Sequence, residues 1–214
     1  MTLPFPSVGL YAITAENHSS PEDLAKAVRL ALQGGAKAIQ YRAKSSPNPL
    51  QEAKLLLAEC REFHVPLIIN DDVELALAVG ADGVHLGKDD GSPEEARKKL
   101  GQDAIIGVSC YDSVERAVQA ESQGASYVAF GRFFPSASKP HAPCARLKTL
   151  GEAKKRVRLP IVAIGGITPE NGGALIAAGA DCLAVIEAVF GADDPAQAAR
   201  DLGALFKHVG WVET

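Results

Sequence analysis

Short apolar runs alternate with helix-period segments along the whole chain. The strand-like runs fall at residues 8–14, 38–42, 67–70, 83–86, 105–109, 127–131, 161–165 and 183–186. Between them lie amphipathic stretches such as Leu24, Ala27, Val28, Ala31 and Leu32, whose i, i+3, i+4, i+7, i+8 spacing is the stripe of a helix with one buried face. The last stretch repeats it with Ala198, Leu202, Leu205 and Phe206. The pattern predicts eight strands alternating with eight helical segments.

Several strands are apolar at every position, as in Ile161-Val162-Ala163-Ile164, which suits a parallel sheet covered by helices on its outer face. The joins share a chemistry. Gly35-Ala36, Gly80-Ala81, Gly124-Ala125 and Gly179-Ala180 each stand at a helix end just before a strand, where glycine supplies the left-handed conformation that stops a helix. Helix starts are marked by Ser20-Pro21-Glu22-Asp23 and Ser92-Pro93-Glu94-Glu95, each an N-cap, a proline in the first turn and acids at the positive end of the helix. Eight βα units in 214 residues predict one domain over 1–214, an α/β protein built as a single (β/α)8 TIM barrel with little decoration. An open doubly wound sheet is the alternative. It calls for a Gly-rich loop after the first strand, where this chain has Ala15-Glu16-Asn17-His18.

Composition narrows the partners. Lys and Arg total 22 against 26 Asp and Glu, a net charge of −4, and no basic run exists to bind a nucleic-acid backbone. Small anions remain open, since they need only a few cations converging locally. The first fifteen residues hold no Lys or Arg, Pro4 and Pro6 interrupt them, and no uncharged apolar run reaches the roughly 18 residues of a membrane span. The expectation is a cytoplasmic protein that binds neither nucleic acid nor membrane. Cys60, Cys110, Cys144 and Cys182 form no CxxC pair and read as small buried side chains, with no structural zinc. A homo-oligomer is compatible with the sequence.

In barrels of this kind chemistry sits at the C-terminal ends of the strands. Strand two ends Gln40-Tyr41-Arg42-Ala43-Lys44, and a period of two puts Gln40, Arg42 and Lys44 on one side. Strand three ends Asn70-Asp71-Asp72 and strand four runs into Gly87-Lys88-Asp89-Asp90. Carboxylates at neighbouring strand ends suit a hard divalent cation; helix capping by Asp72 and a solvent-facing Asp89 are the plainer readings. Strand five ends Gly107-Val108-Ser109. After strand six comes Gly131-Arg132-Phe133-Phe134-Pro135-Ser136-Ala137-Ser138-Lys139-Pro140, whose two hydroxyls and lysine suit a phosphate. Gly165-Gly166 ends strand seven and admits either close approach of a phosphate or a tight turn. His85, inside strand four, reads as a packed or hydrogen-bonded barrel histidine. Cations and metal-binding carboxylates around one anion point to chemistry on a diphosphate, where neutralising the leaving group is the main task.

Together Gln40 through Lys44, Asn70-Asp71, Asp82-Gly83-Val84-His85-Leu86-Gly87, Gly107-Val108-Ser109, Gly131 through Lys139 and Gly165-Gly166-Ile167 resemble the thiamine phosphate synthase family, also called thiamine-phosphate pyrophosphorylases. The resemblance runs over nearly the whole chain in order. It implies a transferase of thiamine biosynthesis that joins 4-amino-5-hydroxymethyl-2-methylpyrimidine diphosphate to a thiazole phosphate, giving thiamine phosphate and pyrophosphate with Mg²⁺. It assigns the pyrimidine diphosphate to Gln40, Tyr41, Arg42, Ala43, Lys44, Asn70, Ser109 and Lys139. It assigns Mg²⁺ to Asp71 and Asp90, and the thiazole phosphate to Ser136, Ala137, Ser138 and Gly166. Catalysis would rest on Lys139, Arg42 and Lys44, which meet the charge that develops as pyrophosphate departs, before the thiazole nitrogen attacks the pyrimidine methylene cation.

Two positions depart from the family pattern. Ser136 and Ser138 stand where threonine is common, which keeps the hydroxyl. Glu187 stands where a serine often closes strand eight, and a carboxylate beside a phosphate is repulsive, so its role is not carried over. Two other readings of the sequence stay open. One is a thiazole tautomerase-like relative, which commonly has a catalytic histidine where this chain has Tyr111. The other is a non-catalytic ligand-binding regulator of the same fold.

Overall fold

In a computed structural model that describes residues 2–16, 18–135 and 144–207, eight strands run parallel and close into a barrel in sequence order, β1 pairing with β8. The strands are β1 (Gly9–Ile13), β2 (Ala38–Tyr41), β3 (Leu67–Asn70), β4 (Gly83–Leu86), β5 (Ile105–Tyr111), β6 (Tyr127–Gly131), β7 (Ile161–Ile164) and β8 (Cys182–Val185). Helices α1 (Pro21–Gln33), α2 (Pro49–Glu62), α3 (Val73–Val79), α4 (Pro93–Leu100), α5 (Val114–Ser122), α6 (Leu147–Lys154) and α7 (Gly172–Ala177) fill the crossovers. The eighth unit differs from the expected single segment: a short α8 (Glu187–Phe190) ends at Gly191, and α9 (Pro195–Ala204) restarts where the Asp194 carboxylate accepts from the Gln197 amide at 2.9 Å. β5 runs to Tyr111, two residues past the apolar run, through a register shift between Ser109 and Tyr111. The expected caps at Ser20 and Ser92 form, the second as a full capping box with Glu95.

Alternation along each strand builds two cores. Outward residues such as Ile39, Ile69, Val84, Ile106, Phe130 and Leu183 meet the helices, while Tyr11, Ile13, Ala38, Ile68, Ile105, Tyr127, Ala129, Val162, Cys182 and Ala184 fill the barrel interior. Phe5 plugs the interior, stacked on the Tyr127 ring at 3.9 Å and edge-on to Tyr11 at 5.5 Å. Gly107 makes room for this arrangement, because a Cβ there would lie 2.1 Å from the Tyr127 ring. Cys60, Cys110 and Cys182 are buried as expected. Cys144 is exposed, because it lies between β6 and α6, outside any packed element.

The Gly-Ala joins carry a second device. Three of them are followed by an acceptor that binds an N–H at the start of the preceding strand: Asp82 takes Leu67 at 2.9 Å, Ser126 takes Ile106 at 3.0 Å and Asp181 takes Ile161 at 2.9 Å. Each closes an otherwise unpaired donor at the closed end of the barrel. Asp82, fully buried, also accepts from Arg61 at 2.9 and 3.0 Å and from the Leu3 amide at 2.8 Å, tying the N-terminal segment and α2 to the strands.

At the opposite end the buried Glu52 of α2 performs a similar task. Its carboxylate accepts from the Tyr41 hydroxyl, from Ser46 at 2.8 Å and from His18 Nε2 at 3.3 Å, so one group ties the loops after β1 and β2. Burial alone would raise the Glu52 carboxyl, but these hydrogen bonds outweigh it and hold the group below the ordinary glutamate range.

Two predictions follow from these anchors. Asp82→Ala leaves buried donors unmatched and is expected to lower unfolding free energy by about 3 kcal/mol, read from the urea midpoint; a change within error would show that the bonds add no net stability. Because Glu52 is held down in the folded state, its contribution is present above its unfolded value near about 4.3 and fades as pH falls through the lower folded value. The difference in denaturation midpoint between wild type and Glu52→Gln should therefore be widest above about pH 5 and shrink toward about pH 3; a constant difference counts against it.

Candidate active site

A cavity of about 710 Å³ opens at the C-terminal ends of the strands, its wall drawn from every strand of the barrel. From β2 and the residues after it, Gln40, Arg42 and Lys44 line it. Tyr41 and Ala43 do not, because the same alternation turns them outward: Tyr41 is buried against α2 with its hydroxyl on Glu52, and Ala43 packs on the outer core. Thr14 fixes the strand end, accepting from the Arg42 amide at 2.9 Å. The Arg42 guanidinium bonds Glu16 at 3.0 Å, an exchangeable partner at the rim, and Lys44 is exposed.

Asn70 and Asp71 enter from β3, Asp71 in a left-handed conformation with φ of 63°. From the loop after β4, the Asp90 carboxylate accepts from the Gly87 amide at 2.8 Å. A Cβ on Gly87 would stand 2.6 Å from Asp90 Oδ2 and 3.9 Å from Asp71 Oδ1, so the absent side chain lets the two carboxylates converge. Burial raises the Asp71 carboxyl, a hydrogen bond and charge repulsion from Asp90 raise it further, and Asn70 and Lys44 only partly oppose this. Two carboxylates brought together in this way are a donor set that suits a hard dication. Among the described residues no group of three or more His, Cys, Asp and Glu side chains gathers, so a cation held by this pair would take its other ligands from water or substrate oxygens. Asp72, by contrast, caps α3 through the Leu75 amide at 2.8 Å, and Asp89 is exposed.

Ser109 enters from β5 beside His85, whose Nε2 lies 2.9 Å from its hydroxyl. Arg116 of α5 fixes this corner: it donates to the carbonyls of Ser109 at 2.7 Å and Gly87 at 3.2 Å, and its guanidinium lies 5.8 Å from the Tyr111 ring centroid. The strand ends that carry Ser109 and the Asp90 loop are thereby joined.

Across the mouth, Gly166 lies under the chain leaving β6, since a Cβ there would stand 2.3 Å from the Pro135 carbonyl. That close approach, together with the bond from Asn171 to the Gly166 carbonyl at 3.0 Å, accounts for glycine whether or not a phosphate binds beside it. The expected residues Ser136, Ala137, Ser138 and Lys139 lie outside the described residues. Their described flanks meet, because the Ala145 amide donates to the Arg132 carbonyl at 2.7 Å. Glu187 opens α8 and is exposed, its carboxylate lying along the helix within 2.7 Å of where a Gly191 Cβ would be. Positions not singled out from sequence also line the cavity, among them Tyr11, Arg132 and Thr168. For Tyr11 the period-two rule held the signal, since it is an inward strand position; Arg132 and Thr168 stand in turns, where that rule is silent.

The family model described as thiamine monophosphate synthase matches residues 10–189 of this chain. A thiamine-phosphate synthase of Methylococcus capsulatus is 56% identical over 208 residues, 96% of this chain and 92% of its own length. One of Nitrosococcus oceani is 56% identical over 189 residues, 87% of either chain. The solved thiamine phosphate pyrophosphorylase of Pyrococcus furiosus superposes with a TM-score of 0.85 at 37% identity, covering 95% of this chain and 98% of its own. An orotidine 5'-phosphate decarboxylase of Pyrococcus horikoshii, at 18% identity and a TM-score of 0.65, shares the barrel alone. With the match spanning all eight strands and identity above one half, the chain belongs to the thiamine monophosphate synthase family of transferases.

Proposed function

We propose that this enzyme joins 4-amino-5-hydroxymethyl-2-methylpyrimidine diphosphate to a thiazole phosphate, releasing pyrophosphate, with Mg²⁺ held by Asp71 and Asp90. The observation that carries this reading is the convergence of those two carboxylates, with Lys44 close enough to act on Asp71, at one side of a cavity that Arg42 also lines. Mg²⁺, when bound there, supplies positive charge to the departing pyrophosphate.

The chain's own residues do the rest. Gln40, Asn70 and Ser109 orient the pyrimidine half, and Arg42 exchanges Glu16 for a phosphate oxygen. Lys44 and Lys139 stabilise the leaving group as the carbon–oxygen bond breaks, which is where preorganised charge lowers a barrier most. The methylene carbon left electron-poor takes the lone pair of the thiazole nitrogen, so the bond lost to oxygen is replaced by one to nitrogen. Gly166, with Ser136, Ala137 and Ser138, holds the thiazole phosphate so that attack is unimolecular in effect. Tyr111, under the Arg116 guanidinium, offers no imidazole base at the position where a tautomerase-like relative would carry one.

The test is to incubate the protein with both substrates, with and without Mg²⁺, and follow thiamine phosphate and pyrophosphate. Product should form only with the metal. Asp71→Ala and Lys139→Ala should each lower turnover about 10²- to 10³-fold, and near-normal rates in both would sink the assignment.

A further inference from the structure

Beneath the cavity an unbroken line of hydrogen bonds crosses the barrel through five strands. Gln40 Nε2 lies 2.7 Å from the Tyr11 hydroxyl, which lies 2.8 Å from the Tyr127 hydroxyl. Tyr127 lies 2.8 Å from His85 Nδ1, and His85 Nε2 lies 2.9 Å from the Ser109 hydroxyl. Tyr127 is wholly enclosed and Tyr11 is 1% exposed, so neither hydroxyl has water as a substitute partner.

The placement of the Gln40 amide nitrogen against Tyr11 sets a direction. An amide nitrogen only donates, so Tyr11 accepts from Gln40. Its single proton then belongs between the two phenols, Tyr127 being the acceptor within reach. Tyr127, having accepted, directs its own proton to His85 Nδ1. An imidazole that accepts at Nδ1 carries its proton on Nε2, and that proton goes to the Ser109 oxygen. The Ser109 proton is left to point into the cavity. At the other end the Gln40 carbonyl oxygen stands outside the line of donors.

We propose that Tyr127 and His85 are positioning residues that set this polarity, so that the cavity floor presents an amide acceptor at Gln40 and a hydroxyl donor at Ser109. That pair complements an aminopyrimidine, which offers an exocyclic amine as donor and a ring nitrogen as acceptor. It disfavours the 4-oxo analogue, in which an acceptor replaces the amine and meets the Gln40 carbonyl. The substrate half of this inference rests on the function proposed above; the polarity half rests on the hydrogen bonds alone. Tyr127 never touches substrate, and its part is to transmit direction from one end of the line to the other.

Two measurements test it. In the unliganded wild-type protein at neutral pH, ¹⁵N NMR of the His85 ring should show an unprotonated Nδ1 and a protonated Nε2; the reverse pattern, or protons on both, overturns the polarity. In steady-state kinetics, Tyr127→Phe interrupts the line at its centre with one oxygen removed. It should raise KM for the aminopyrimidine diphosphate about tenfold and shrink preference over the 4-oxo analogue by a similar factor, while KM for the thiazole phosphate stays within about twofold. A uniform loss affecting both substrates alike, or undiminished preference for the amine, would mark Tyr127 as merely structural and overturn the proposal. Absence of product from wild type strikes the pyrimidine reading instead, and the NMR pattern, measured with no substrate, separates the two failures.

Discussion

Closing eight parallel strands turns every second side chain of each into a space that water does not fill, and Tyr127 is the residue on which this constraint falls hardest. Its ring occupies the room left by Gly107 and stacks on Phe5, which covers the interior from the N-terminal side. Its hydroxyl, buried among apolar neighbours, needs both a donor and an acceptor. Tyr11 and His85 meet that need, and their own remaining valences extend outward to Gln40 and Ser109. The packing of the barrel interior and the polarity of the cavity floor are therefore one arrangement, reached through a single enclosed phenol.

The rim of the cavity obeys a different constraint. Its charges are held apart from the folding core and converge only because the strand ends do. Asp71 and Asp90 come from neighbouring strands, and the bare Cα of Gly87 leaves room for their carboxylates to converge. Thr14, Glu52 and Arg116 work behind them, fixing the ends of β2, β4 and β5 without lining the cavity themselves. A net charge of −4 thus coexists with a mouth to which Arg42, Lys44 and Arg132 bring positive charge. Among the described residues no helix is long and apolar enough to cross a membrane.

The order of elements and the barrel itself were legible in the sequence because both depend on local patterns. All eight strands fall within two residues of the apolar runs, and the glycines before β2, β4, β6 and β8 adopt positive φ where the joins require it. The alternation of Gln40, Arg42 and Lys44 was equally legible, as was the dual reading of Asp72, which the structure resolves as a helix cap. Pairing between distant residues was not. Nothing in the spacing of Tyr11 and Tyr127, 116 residues apart, announces that their hydroxyls meet.

By itself, then, the chain determined its periodicities, its helix caps and stops, and which strand-end residues share a face, since these follow from backbone geometry within a few residues. Only the tertiary structure decided that Tyr41 serves Glu52 and not the cavity, that Asp71 and Asp90 approach over Gly87, and that five inward side chains join in one line. Those outcomes depend on how much space closure leaves between strands, a quantity set by all eight together and written in no single segment.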